Sequence, residues 1–341
     1  MTASLKRKLS QFLKSDDFSL EALPGGASDR KYFKLKLRHN SYFPSNPLLL
    51  VSTPQGESAS LNDYFSIDYY LQRMAVPTPR VYEIQRRFGW IFMEYCSLPT
   101  VEEFLKNRPD QNEEVLRAVI DFLIEMQKKC RPEPHCPAFQ RRFVFAKFQY
   151  EFRFHFSEQL VEKYLGCRLS ETEQDALNQM AQEISAALDT GENIFVHRDF
   201  QSSNLFIGGK SGNYRLQVID FQDARTGTAA YDLASCLFDS YLAIPPEERE
   251  RLLQYYLKKS NRKFPPEFRR IVDYAVIQRK LHDAGAFAYN FLRTKKRRYL
   301  HYIPGALNFA LDKMRKFNHF TEAAVALNHI IEVSNDKISL L

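Results

Sequence analysis

His197-Arg198-Asp199-Phe200-Gln201-Ser202-Ser203-Asn204 and, one hairpin later, Val218-Ile219-Asp220-Phe221 are the two stretches on which the fold turns. Between and around them, IFV, NLFIGG and YRLQVIDF read as short extended pieces, the last two joined by a Gly-Gly-Lys-Ser-Gly-Asn turn of hairpin composition. Residues 194–223 are thus an extended–loop–hairpin–extended island inside a helical region. Each end of the island delivers an aspartate at the edge of an apolar run, where a carboxylate is held by backbone and still reachable.

Outward from this island the chain divides in character. Leu5, Leu9, Phe12 and Leu13 have helical spacing and lead to a turn at Pro24, Gly25 and Gly26. In Lys31-Tyr32-Phe33-Lys34-Leu35-Lys36-Leu37 the apolar residues Phe33, Leu35 and Leu37 alternate with polar ones, the mark of a half-buried strand. Strands are also predicted over residues 48–52, 81–84 and 90–93, with a helix over 61–73 stopped by Val-Pro-Thr-Pro at 76–79. After Glu94, three- and four-residue apolar spacing dominates: over 101–106, 113–129, 143–164 and 171–188, then from Tyr231 to the end. The expectation is an α+β fold: a small β-rich lobe, 1–95, and a larger helical lobe, 96–341, hinged within residues 93–99.

The spacing of the central island resembles the catalytic segments of kinases, in which an HRD aspartate precedes an asparagine by five and a metal-binding aspartate follows a hairpin. The chemistry explains those residue types. An attacking hydroxyl needs a carboxylate to orient it and take its proton, the part assigned to Asp199. A triphosphate needs Mg²⁺, a hard cation that prefers oxygen ligands, and Asn204 and Asp220 offer an amide oxygen and a carboxylate. His197 reads as holding the loop rather than as a reactant. Asp232, at a helix start, reads as a partner for backbone donors of that loop. Asp223 is a candidate metal or substrate contact, although a loop aspartate commonly serves only its own turn.

At these residues the sequence resembles the aminoglycoside phosphotransferase and choline kinase superfamily, whose members carry an HxDxxxxN loop and a following IDF or IDW segment. Residues 23–35, 218–235, 276–289 and 299–307 also look like bacterial kinases that phosphorylate the anomeric hydroxyl of N-acetylmuramate and N-acetylglucosamine in cell-wall sugar recycling. The resemblance implies a protein-kinase-like bilobal fold and ATP-dependent transfer to a small sugar or amino-alcohol acceptor, with Mg²⁺. Gly25, Gly26, Ala27 and Ser28 would form a phosphate-cradling turn. Met93, Glu94 and Cys96 would form the adenine-facing hinge. The third strand, LLLVS, lacks the usual phosphate-binding lysine, so the cation would come from Arg30, Lys34 or Lys36. Gln278 and Arg279, on a helix with Asp283 and one turn after Tyr274, are acceptor-binding candidates, although polar residues on a helix are more often solvent-facing. The aromatic run Phe145, Phe148, Tyr150, Phe152, Phe154 and Phe156 reads as core packing before it reads as a sugar platform.

Composition narrows the class. The 341 residues are 44% apolar and 26% charged, enough to bury a core. No run approaches the ~18 apolar residues of a membrane span, and the basic N-terminus lacks an apolar signal segment, so a soluble, cytoplasmic monomer is expected. Five cysteines without CxxC spacing argue against a disulfide framework or structural zinc, and Cys130, His135 and Cys136 lack a second ligand pair. The net charge of +7 is dispersed except at RTKKRR, residues 293–298, which reads as a solvated face beside an anionic substrate rather than a nucleic-acid patch. Two competing readings remain open. One keeps the chemistry with an aminoglycoside or amino-alcohol acceptor; the other is a non-catalytic nucleotide-binding regulator, motivated by the missing lysine.

Overall fold

A computed structural model describes residues 2–25, 30–39, 42–53 and 58–340. The chain gathers into two compact units, Met1–Pro99 with Gln217–Gln222, and Thr100–Leu216 with Asp223–Leu341. Asp220 therefore belongs to the first unit, while Asp199 and Asn204 belong to the second.

In the first unit, β1 (Phe18–Leu23), β2 (Lys31–Leu37), β3 (Leu48–Ser52), β4 (Val81–Gln85) and β5 (Trp90–Glu94) form one antiparallel sheet in the order β1-β2-β3-β5-β4. The alternation of β2 turns Phe33, Leu35 and Leu37 inward beside Leu48, Leu50, Trp90 and Phe92. Each such side chain, once buried, stabilises the unit by roughly 1.5–3 kcal/mol. Helix α1 (Thr2–Leu13) closes this face, with Leu9 buried and the Phe12 ring stacked on Phe92 at 5.3 Å. On helix α2 (Ser58–Arg73), Tyr64 donates to the Met93 sulfur at 3.9 Å. The sequence reading missed β1. Its residues are half-buried or exposed, as befits an edge strand held by its ladder to β2, and its polar lead-in masks the period.

The second unit is built on the helix Phe268–Thr294, buried on nearly every face from Phe268 to Ala288. It packs against Phe152–Leu165, Ala230–Leu237 and Ile303–Met314. The segment expected as one helix over 143–164 is instead an α-helix, Phe145–Glu151, running into a wider π-helical stretch, Phe152–Leu165. Its Phe148, Phe152 and Phe156 are buried, whereas Phe145 and Tyr150 are exposed. Gly285 sets the approach of the two helices: a Cβ there would collide with the His155 backbone, so only glycine admits this contact. Among the described residues the five cysteines are free thiols, and no helix is long and apolar enough to cross a membrane.

Candidate active site

The catalytic-loop candidate begins where the strand Ile194–Val196, paired with Arg225–Gly227, delivers His197 into the interior. Asp232, fully buried at the start of Ala230–Leu237, accepts the backbone N–H groups of His197 at 2.7 Å and Arg198 at 2.9 Å. Burial pushes its carboxyl up to about 7 against the pull of those two donors. Asp239 does the same work further on, accepting from the amides of Ser202 at 2.6 Å and Tyr241 at 2.8 Å. Between these anchors Arg198 holds φ +81°, a left-handed conformation costing a non-glycine residue on the order of 1–3 kcal/mol. The Asn204 amide nitrogen donates to the Asp199 carbonyl at 2.9 Å, leaving its Oδ1 as an oxygen donor for a ligand.

Arg279 Nη2 reaches Asp199 Oδ1 at 2.7 Å and Asp283 Oδ1 at 3.0 Å. Burial alone would raise the Asp199 carboxyl, but Arg279, followed by Arg198, outweighs it and holds the group down at about 2. Asp283 also takes the Lys280 ammonium at 2.6 Å and is itself held well below the carboxylate range, burial being overcome by Arg279 and Lys280. The default expectation that the polar residues of this helix face solvent is overturned: Gln278 is 7% exposed, Arg279 2% and Lys280 0%. Buried charges persist only when paired, and these are paired with one another across the loop. Arg279 Nε and Nη1 and Gln278 Oε1 are nevertheless buried without a hydrogen-bond partner among the described residues. Tyr274 is not part of this set, because its hydroxyl donates to Glu183.

A carboxylate that the sequence reading passed over lies beneath the loop. Glu151, fully buried, accepts through Oε1 from Arg198 Nη2 and Lys147 Nζ, both at 3.2 Å, and through Oε2 from Gln278 Nε2 at 2.9 Å. Burial pushes it up, yet His282, Arg198 and Lys147 together hold it at about 2. Asp223, half-exposed, stands 3.6 Å from Arg198 Nη1. Glu151 follows Phe148 by three residues on the buried face, and a carboxylate at an apolar register was the available signal. Asp239 follows Asp232 by seven residues, just beyond the end of Ala230–Leu237, at the close of another apolar run, which was the other.

In the first unit, Asp220 holds φ +66° beyond a strand whose Val218 amide donates to the Pro77 carbonyl at 3.0 Å. Its Oδ1 accepts from Gln222 Nε2 at 2.9 Å, and the neighbouring Phe221 ring packs on Tyr64 at 4.8 Å. Burial raises the Tyr64 phenol well above its usual value; the Asp68 and Asp220 carboxylates add to this, and Arg30 opposes it. Arg30 and Asp220 thus bear on one side chain. Gly25 lies against the Arg30 carbonyl, and Gly26, Ala27 and Ser28 fall outside the described residues. Lys34 places its ammonium 4.7 Å from the centre of the Tyr95 ring. Met93 is buried, the Glu94 carboxylate accepts from the Arg80 amide at 3.2 Å, and Cys96 Sγ donates to Gln217 Oε1 at 3.4 Å.

Residues 19–271 match the phosphotransferase enzyme family. The N-acetylmuramate/N-acetylglucosamine kinase of Neisseria meningitidis serogroup B is 25% identical over 98% of this chain and 96% of its own length. Among solved structures, an ADP-bound aminoglycoside phosphotransferase is similar with a TM-score of 0.61 at 17% identity, over 96% of this chain and 99% of that one. An ethanolamine kinase from Plasmodium vivax has a TM-score of 0.62 at 14% identity, over 86% of this chain and 82% of that one. At such identities these likenesses establish the fold, α+β and kinase-like, as the sequence led us to expect.

Proposed function

The chain belongs to the phosphotransferase enzyme family, a small-molecule kinase, and from that premise we propose that it transfers the γ-phosphoryl group of ATP to the anomeric hydroxyl of N-acetylmuramate, N-acetylglucosamine or both. One observation carries the reading: Asp199 is tied through a single carboxylate oxygen to Arg279, and its Oδ2 has no hydrogen-bond partner among the described residues. That oxygen is the acceptor for the attacking hydroxyl. With its pKa at about 2, Asp199 is ionised throughout the working range and is a weak base. Its contribution is therefore orientation, with the proton moving late. The bond from the leaving oxygen to phosphorus breaks toward ADP, the acceptor oxygen bonds phosphorus, and only then does that oxygen become acidic enough to yield its proton to Asp199. A loose, metaphosphate-like transition state has this order of events.

Mg²⁺, when bound, neutralises triphosphate charge. The donor set fits a hard cation: we assign it Asn204 Oδ1, whose amide nitrogen is already committed, and the Asp220 carboxylate. The turn at residues 25–28, with Arg30 and Lys34 supplying the charge of the absent third-strand lysine, is assigned to the phosphates. The Met93–Glu94 strand end and Cys96 are assigned to adenine. Gln278, Arg279 and Asp223 are assigned to the acceptor, with His197 and Asp232 holding the loop. An aminoglycoside or amino-alcohol acceptor would keep the same chemistry at Asp199; the likeness over 98% of the chain to an N-acetylmuramate/N-acetylglucosamine kinase is what favours the sugar.

Incubation with Mg²⁺-ATP and either sugar should yield the sugar 1-phosphate by ³¹P NMR, and a C6 phosphate refutes the assignment. Replacing Asp199 by asparagine should lower turnover by ~10²-fold or more with nucleotide affinity little changed. Undiminished turnover in Asp199→Asn would remove Asp199 from the mechanism.

A further inference from the structure

We propose that Glu151 is a positioning residue, fixing the Asp199 carboxylate by closing a ring of side chains through Arg198 and Gln278. The ring is read directly from contacts within the second unit. Glu151 holds Arg198 at 3.2 Å, Arg198 is the chain neighbour of Asp199, Asp199 meets Arg279 at 2.7 Å, Arg279 is the chain neighbour of Gln278, and Gln278 returns to Glu151 at 2.9 Å. The inference rests on the reading that Asp199 meets the acceptor.

A ring of this kind answers a physical need. The left-handed backbone at Arg198 aims Asp199, and a strained conformation persists only where its surroundings over-determine it. Asp232 holds the Arg198 amide, and Glu151 holds its guanidinium, so rotation toward relaxed φ would break contacts at both ends. On the other side, Glu151 anchors Gln278 and so fixes the rotation of the helix that presents Arg279. A carboxylate suits the position, because Arg198 and Lys147 share one of its oxygens and Gln278 takes the other, and an amide would leave the two cations uncompensated. Its burial is complete, so the charge is retained for those contacts rather than for solvent.

The test compares Glu151→Ala, Glu151→Gln, Gln278→Ala and the double variant Glu151→Ala/Gln278→Ala, each checked for folding by circular dichroism and thermal melting. Glu151→Ala should lower kcat by ~10²-fold, the scale of a displacement of roughly 1 Å at a reacting group, with KM for ATP within ~2-fold. Glu151→Gln should lose only ~10-fold, because the Gln278 amide can turn its unpartnered Oε1 to the new NH₂ and keep the ring closed without the charge. The double variant should be no slower than the worse single one, since the ring is already open. A kcat unchanged while the melting point falls, or losses that multiply in the double variant, overturns the proposal. Amide hydrogen exchange over residues 197–201 needs no turnover: Glu151→Ala should speed it by ~10-fold or more, and unchanged protection overturns the ring. If Glu151→Ala does not fold, Gln278→Ala, which opens the ring at its other member, carries the same readings. Wild-type enzyme that phosphorylates neither sugar defeats the acceptor assignment alone, because the exchange measurement still reports on the ring.

Discussion

Gly285→Ala offers a test in which the sign of the effect decides. On an open helix the change would stabilise by about 1 kcal/mol, because alanine is the better helix former. Here the added Cβ would fall inside the van der Waals envelope of the His155 carbonyl carbon and oxygen. Backbone atoms cannot swing aside as a side-chain tip can, so Phe268–Thr294 and Phe152–Leu165 must separate, at a cost near the upper end of the ~1–3 kcal/mol of overpacked cores. Set against the gain in propensity, the net is a loss of about 2 kcal/mol, a melting point lower by ~4 °C or more for a unit of this size. Gln278 lies seven residues before Gly285, and Glu151 four before His155, so the separation should also open their contact and slow turnover by ~10-fold. Thermal and urea denaturation followed by circular dichroism measure the first effect, and steady-state kinetics the second. A variant more stable than wild type would show that the backbones do not meet at Gly285, and the account of how the second unit positions Glu151 would fall with it.

Asp220→Asn and Asn204→Ala should each reduce turnover by ~10²-fold or more, with higher Mg²⁺ needed for half-maximal rate and melting points near wild type, all read from Mg²⁺ titrations of the initial rate. The Asp232 carboxyl, raised from 3.8 to about 7, stabilises the fold fully below 3.8, and that contribution is lost as pH rises through about 7. Asp232→Asn, which can no longer accept through both atoms, should weaken the fold by ~1–3 kcal/mol and flatten the urea midpoint across pH 4–7. Glu151 has the opposite sign: lowered from 4.5 to about 2, it stabilises above 4.5 and loses that contribution as pH falls toward 2, so Glu151→Gln should shallow the acid limb of the stability profile.

What could be read from the chain alone was whatever is carried by local spacing. Asp199 and Asn204 are five residues apart, and their geometry is set by one loop, so spacing and composition reveal them. The alternation in Lys31–Leu37 fixed the face of β2 in the same way, while β1, an edge strand with little buried surface, left almost no period to detect. Helix Phe268–Thr294 misled for a related reason. Its Gln278, Arg279, Lys280 and Asp283 break the apolar pattern, and polarity at a helical position ordinarily means solvent. They are buried because their partners arrive from 40 to 127 residues away: Glu151 for Gln278, Asp199 for Arg279, Ser240 for Lys280. No local pattern encodes such pairings.

The same consideration explains why the loop needs so many buried carboxylates. On the proposed reading Asp199 keeps one oxygen available for a substrate, so it cannot saturate its own hydrogen bonds to hold itself still. Rigidity must come from neighbours with no such duty. Asp232 and Asp239 hold the backbone by its amides, and Asp283 shares with Asp199 the Nη2 of Arg279. Glu151 ties Arg198 to Gln278. Each of these groups would be a liability alone, since an unpaired buried carboxylate costs several kcal/mol. Glu151 and Asp283 are tolerated because cations face them, Arg198 and Lys147 half-buried beside the first and Arg279 and Lys280 buried beside the second, and Asp232 and Asp239 because backbone amides do. Removing any one member leaves its partner buried and uncompensated, so a loss of turnover from these positions should always arrive with a loss of stability, whereas Asp199→Asn should slow the enzyme while costing far less of the fold than Glu151→Ala.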